Sequence, residues 1–275
     1  MTELDELTRL YSPSCWVPGK SRDKVMNGFF EGIAKAFTDL EEDLSVPIVQ
    51  DISYGSNDSQ EFDLWGPGDS TNLLIFFHGG YWAAGTRKDC LTPVACSFAN
   101  GYTVASVGYG LATKDHSIVE SVNDAVKGVE YILENYKNFE NVVIGGHSAG
   151  AHLAVHVASR LKSKRIRGLL LYSGCYFLTE LVDTDIGRDI SLTQADAQSQ
   201  SCNIHLLPEV PIQIILGLEE SPKLIEQNRK VARELKTANI CEFEHESHYS
   251  IMTEMLKSDS NVYKCVSEFL KKVAV

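Results

Sequence analysis

The sequence predicts an α/β protein, a mostly parallel sheet of about eight strands with helices on both faces. Two observations carry that expectation. Short β-type runs alternate along the chain with longer stretches of helical periodicity, and several of the runs are apolar at every position, as strands covered on both faces must be. A third observation concerns domains: no internal repeat, low-complexity segment or Pro/Gly-rich linker divides the chain, so a single domain over 1–275 is expected. At 275 residues and 44% hydrophobic content, one large core can be buried.

The β-type runs fall at 46–54, 61–65, 72–77, 102–107, 141–144, 168–172, 211–216 and 240–243. Leu73-Leu-Ile-Phe-Phe77, Val142-Val-Ile144 and Leu169-Leu-Leu171 are continuously apolar and so are central strands. Helical patterns lie between them at 87–99, 117–136, 149–163, 222–237 and 260–272. In the second, Ile118, Val122, Ala125, Val126, Val129 and Ile132 recur at helical spacing. The stretch 174–209 is polar and uneven, and is expected to be an excursion above the sheet that caps the site.

A formal charge of −12 repels phosphate backbones and anionic lipid, and the one basic stretch, Lys162-Ser-Lys-Arg-Ile-Arg167, is too short to offset it. A nucleic-acid partner is therefore excluded. The acidic start Met1-Thr-Glu-Leu-Asp-Glu-Leu7 has no apolar run behind it, unlike a secretory or transit peptide, and no stretch nears the roughly 20 apolar residues that span a bilayer. A cytosolic protein without a membrane partner is expected. Cys15, Cys90, Cys96, Cys175, Cys202, Cys241 and Cys265 are scattered, odd in number and without a CxxC pair, which argues against a disulfide framework or a thiolate zinc site. They are expected to be reduced and chemically quiet.

Chemistry enters with Gly146-His-Ser-Ala-Gly150, placed between a strand and an apolar helix. A turn that tight leaves no room for flanking side chains, so glycines flank it and Ser148 is pushed out as a nucleophile. The helix behind it, expected to begin near Ala151, offers free N–H groups to developing negative charge. His147 is too constrained in the same turn to fold back as a base and reads as structural. Some seventy residues earlier, His78-Gly-Gly-Tyr-Trp82 leaves another strand. Its Gly79 and Gly80 allow close approach to an oxyanion, with the N–H groups of Gly80, Tyr81 and Ala149 as candidate donors. His78 is expected to pin this loop, and Trp82 to pack.

Serine turns of this kind work in the chain order Ser, acid, His. After Ser148 and its helix come His205, which precedes the candidate acid strand, then His245 and His248. His248 sits in the loop after the 240–243 strand, from where it can swing over the sheet, and is preferred to His245 as the base. The 211–216 strand ends in Gly217-Leu-Glu-Glu-Ser-Pro222, and either Glu219 or Glu220 could orient the imidazole.

With these residues in view, the chain resembles the kynurenine formamidases, or arylformamidases, of the α/β-hydrolase superfamily. The resemblance runs over nearly the whole length. It rests on Tyr11-Ser-Pro-Ser14 with Trp16, Tyr54-Gly55 followed by Glu61-Phe-Asp63, His78-Gly-Gly-Tyr-Trp82, Gly146–Gly150, and Ser221-Pro222 with Gln227. It implies an α/β-hydrolase fold with Ser148, Glu220 and His248 as catalytic residues, because the family's acid directly precedes Ser-Pro and its histidine precedes an aromatic residue, here Tyr249. Glu220 stands where that family usually has Asp, and 174–209 matches only loosely. The implied reaction is hydrolysis of N-formyl-L-kynurenine to L-kynurenine and formate in tryptophan degradation. No cofactor or metal is implied, the only partner being a small-molecule substrate, with homodimer assembly and a location in the cytosol or also the nucleus. A short-chain carboxylesterase with the same triad, and a non-catalytic binding protein on the same scaffold, are the competing readings.

Overall fold

The computed structural model describes residues 5–42 and 45–274; the first four residues of the acidic N-terminal segment lie outside these. Eight strands form one sheet: β1 (Ile48–Ser53), β2 (Glu61–Trp65), β3 (Asn72–Phe77), β4 (Tyr102–Val107), β5 (Asn141–His147), β6 (Ile166–Tyr172), β7 (Ile212–Glu219) and β8 (Ala238–Ser247). Their order is β1-β2-β4-β3-β5-β6-β7-β8, antiparallel across β1, β2 and β4 and parallel from there on. Pairing extends several predicted strands: β7 and β8 run together, with a register shift after Gly217, as far as Glu219 opposite Ser247.

Among the described residues, ten α-helices accompany the sheet: α1 (Glu6–Tyr11), α2 (Arg22–Glu42), α3 (Val94–Ala99), α4 (Ile118–Asn135), α5 (Ala149–Leu161), α6 (Asp185–Asp189), α7 (Gln194–Gln200), α8 (Pro222–Glu234), α9 (Ser250–Thr253) and α10 (Asn261–Val273). Their starts are written in the sequence. Ser117 and Glu120 form a reciprocal capping box on α4, Ser221 caps α8 ahead of Pro222, and Ser260 caps α10. The helix expected over 87–99 is instead a 3-10 turn at Arg87–Cys90 followed by α3, because Pro93 interrupts the ladder.

Alternation along the central strands feeds two cores. Leu73, Ile75, Phe77, Ile144, Leu169 and Leu171 face α4, α5 and α8, whereas Leu74, Phe76, Val143 and Leu170 face α3, α9 and α10. Since β3, β5, β7 and β8 are parallel, the loops leaving their C-terminal ends gather at one edge of the sheet, the usual place for a site in such sheets. Among the described residues, no helix is long and apolar enough to cross a membrane.

Candidate active site

Ser148 is held at φ +57°, a left-handed conformation that costs a non-glycine residue of order 1 kcal/mol or more. What over-determines it is packing around the turn. A Cβ on Gly146 would lie 2.3 Å from the carbonyl of Gly150, and one on Gly150 would lie 2.1 Å from the carbonyl oxygen of Phe77, so neither position admits a side chain. The Ser148 N–H donates to the Tyr172 carbonyl at 2.8 Å, tying the turn to β6.

Glu220 follows β7 and is buried, as is His248 beyond β8. One carboxylate oxygen, Oε2, lies 2.5 Å from His248 Nδ1, while Oε1 accepts the Ser221 N–H at 2.7 Å. A carboxylate can only accept, so the proton sits on Nδ1 and Nε2 is the basic nitrogen left for the cavity. Glu219 is half-buried and makes no such contact; His245 is exposed on β8, and His205 is an exposed residue near Glu234.

His147 pins His248. Its Nε2 donates to the His248 carbonyl at 2.8 Å and its ring lies 4.4 Å from that of His248. Burial, and then the neighbouring His248, hold its pKa well below the ordinary imidazole value, so it stays neutral and does not compete for the Ser148 proton.

The loop after β3 packs on the serine turn: a Cβ on Gly79 would lie 3.1 Å from that of Ser148. Gly80, Tyr81 and Trp82 all take positive φ, and among the described residues the N–H groups of Gly80, Tyr81 and Ala149 have no hydrogen-bond partner. His78 stacks on Tyr109 at 4.3 Å and donates from Nδ1 to the Gly79 carbonyl at 2.8 Å; burial lowers its pKa to about 4. The Tyr81 hydroxyl donates to the Tyr11 carbonyl, tying the N-terminal segment to the loop. Trp82 is fully buried with its edge against His152 and does not reach the cavity.

Ser148, His248, Gly80 and Tyr81 line one cavity of about 250 Å³. The sequence profile of a family described as alpha/beta hydrolase fold matches residues 74–211, which hold β3 to β6 and both glycine-rich turns. This chain belongs to that family. A kynurenine formamidase of Danio rerio is 27% identical to it, covering 98% of this chain and 97% of the relative, and one of Salmo salar is 24% identical over the same shares. The crystal structure of a putative thioesterase from silicibacter sp. tm1040 superposes with a TM-score of 0.79 at 20% identity, covering 95% of this chain and 99% of that one.

Of the rest of the cavity wall, Pro13 and Tyr249 lie in stretches that carry the family resemblance, whereas Met26, Phe29, Phe30 and Met252 do not. Met26, Phe29 and Phe30 come from α2, Pro13 from the segment before it, and Tyr249 and Met252 from the turn after His248. Phe29 packs on Tyr249 at 5.2 Å and on His147 at 6.1 Å. A signal for α2 existed in Val25, Ile33, Ala36 and Leu40, whose spacing places them on one buried face. The excursion 174–209 supplies none of the lining residues. It supports the N-terminal segment instead: Glu180 accepts the Tyr11 hydroxyl at 2.8 Å and the Asp185 N–H donates to Thr8 at 2.9 Å.

Asp89 also lines the cavity, and among the described residues no Lys or Arg lines it. Burial raises its carboxyl pKa, with the Thr86 N–H acting against that. The one described group with metal-ligand potential outside the site is His152, His156 and Cys202, with ligand atoms within 4.8 Å of one another. Both imidazoles already donate from Nε2 to the Gln200 carbonyl, at 2.7 and 2.9 Å, so they clamp the end of α7 to α5.

Proposed function

We propose that this chain is a serine hydrolase that removes the formyl group of N-formyl-L-kynurenine, giving L-kynurenine and formate. The observation that carries the reading is the single cavity in which Ser148, the Glu220-oriented His248 and unbonded backbone N–H groups meet behind aromatic walls. His248 Nε2 takes the Ser148 proton as Oγ attacks the formyl carbon, and the N–H groups of Gly80, Tyr81 and Ala149 receive the oxyanion. His248 returns the proton to the departing aryl amine, leaving a formyl-serine ester. Water activated by the same nitrogen then releases formate.

Cavity and substrate match in size and character. A formyl group needs almost no acyl pocket, and an aniline bearing an ortho ketone leaves more readily than an alkyl amine. Phe29, Tyr81 and Tyr249 offer apolar and edge contacts to the ring, and Asp89 is the charged group present to receive the substrate's α-ammonium. The two curated relatives that align end to end carry the name of this activity. Seven unpaired thiols suit the reducing cytosol, where we place the enzyme.

The test supplies purified protein with N-formyl-L-kynurenine and follows kynurenine absorbance, with a short-chain nitrophenyl ester and Ser148→Ala in parallel. Efficient deformylation lost in the variant supports the reading; ester turnover without deformylation moves the chain to the carboxylesterases.

A further inference from the structure

Away from this site, where the edge strand β8 meets α10, the sulfurs of Cys241 and Cys265 lie 2.9 Å apart. Both residues are half-buried and open to a surface recess of about 240 Å³ that shares no residue with the catalytic cavity. Polar hydrogens converge on one of the two sulfurs. Gln213 Nε2 donates to Cys241 Sγ at 3.3 Å, Asn239 Nδ2 lies at 3.8 Å from it, and the Cys265 thiol completes the set. Lys272 lines the same recess, with Glu268 as the opposing charge.

Such an arrangement favours a thiolate at Cys241 and a thiol at Cys265. The hydrogen bond from Cys265 draws the Cys241 pKa down to about 7 against the effect of burial, and the same bond, with burial, pushes Cys265 up. Buried Cys90, Cys175 and Cys202 are shifted the other way, well above the ordinary thiol value, by desolvation. Reactivity follows thiolate character and access, so one pair stands apart from the quiet behaviour expected of all seven.

We propose that Cys241 and Cys265 form a modification site, a hydroperoxide-reactive thiol pair that closes reversibly into a disulfide joining β8 to α10. The Cys241 thiolate attacks the peroxide O–O bond, forming a sulfenic acid and expelling hydroxide, which takes up a proton as water. Cys265 sulfur then attacks Cys241 sulfur; the S–S bond forms as the S–O bond breaks, and the departing hydroxide leaves as a second water with the Cys265 proton. Two thiols and one hydrogen peroxide thus give one disulfide and two waters. The two sulfurs at 2.9 Å have less than 1 Å to close to a bond of about 2 Å.

The experiment treats the full-length chain at neutral pH with limiting hydrogen peroxide and maps peptides by mass spectrometry without reduction. Expected is a Cys241–Cys265 crosslink, two hydrogens lighter and reversed by dithiothreitol, ahead of oxidation at any other cysteine. Cys265→Ser should lose the crosslink yet be captured at Cys241 by a sulfenic-acid reagent, and Cys241→Ser should show neither product. Brief iodoacetamide labelling of the untreated chain should modify Cys241 about tenfold faster than Cys15. Labelling of Cys241 no faster than Cys15, or peroxide treatment that leaves both thiols free while oxidising others, would overturn the proposal.

Discussion

Acidification to about pH 5.5 should weaken this fold before its carboxylates titrate, because it buries neutral imidazoles. Burial holds His78 and His156 at about 4, against 6.5 for a free imidazole, and drives His147 and His152 well below that value. The unfolded chain therefore binds more protons than the native one between these values. Stability is fully present above about 6.5 and is lost as pH falls toward 4. At about pH 5.5 an unfolded imidazole is largely protonated and a native His156 is not, a difference of about 1 kcal/mol per such histidine. Over an assay range of about pH 7.5 to 5.5, carboxylates held below their ordinary value by their partners, such as Glu180 beside Lys223 and Glu242 beside Arg229, stay ionised. Cys241 at about 7 titrates within that range, so the wild-type slope alone does not isolate the histidines. His156→Gln does, since Gln keeps an N–H donor for the Gln200 carbonyl and cannot be protonated. Urea unfolding from about pH 7.5 to 5.5 should show the variant losing about 1 kcal/mol less than the wild type at unchanged m. Equal losses in both proteins would mean that His156 is not held neutral, and the burial argument would fail.

Other outcomes follow from the site. Ser148→Ala should lower kcat by roughly four to six orders of magnitude while leaving the urea midpoint unchanged, read by deformylation and unfolding together. Glu220→Gln should cost about 10⁴-fold in kcat, because an amide can donate to Nδ1 and so permit the wrong imidazole tautomer; an activity within tenfold of wild type would remove Glu220 from the orienting role. Asp89→Asn should raise KM for N-formyl-L-kynurenine about tenfold or more, with little change for a formanilide lacking the amino-acid head, as expected for loss of one charge-assisted contact. Gly150→Ala should fail to fold or unfold at much lower urea, its Cβ falling 2.1 Å from the Phe77 carbonyl oxygen.

What could be read in the sequence divides along a physical line. Strands β2, β3 and β4 begin and end where the β-type runs 61–65, 72–77 and 102–107 do, and in β3 the run Leu73–Phe77 is apolar throughout, as a strand covered on both faces must be. Helices α4, α8 and α10 are bounded by capping serines. The serine turn was legible in part because steric exclusion acts between neighbours in sequence, a Cβ on Gly146 meeting the Gly150 carbonyl four residues on, whereas Gly150 is excluded by the Phe77 carbonyl oxygen of another strand. Choosing between Glu219 and Glu220 was another matter. Both end the same strand, and what separates them is the pairing of β7 with β8, which runs through Glu219 and Ser247 and leaves the next residue on each strand, Glu220 and His248, to turn toward one another. That is a contact between residues 28 apart, invisible to local spacing, so there the family resemblance supplied what periodicity could not. The cavity wall lay further still from view. Phe29 belongs to a helix more than a hundred residues before His147 and Tyr249, against which it packs. Within its own helix it reads only as a partly buried aromatic. The serine turn is thus encoded largely locally, whereas the Glu220–His248 contact and the cavity wall are set over long range, so substitutions at Asp89 and Phe29 are expected to change substrate preference before they change the turn that holds Ser148.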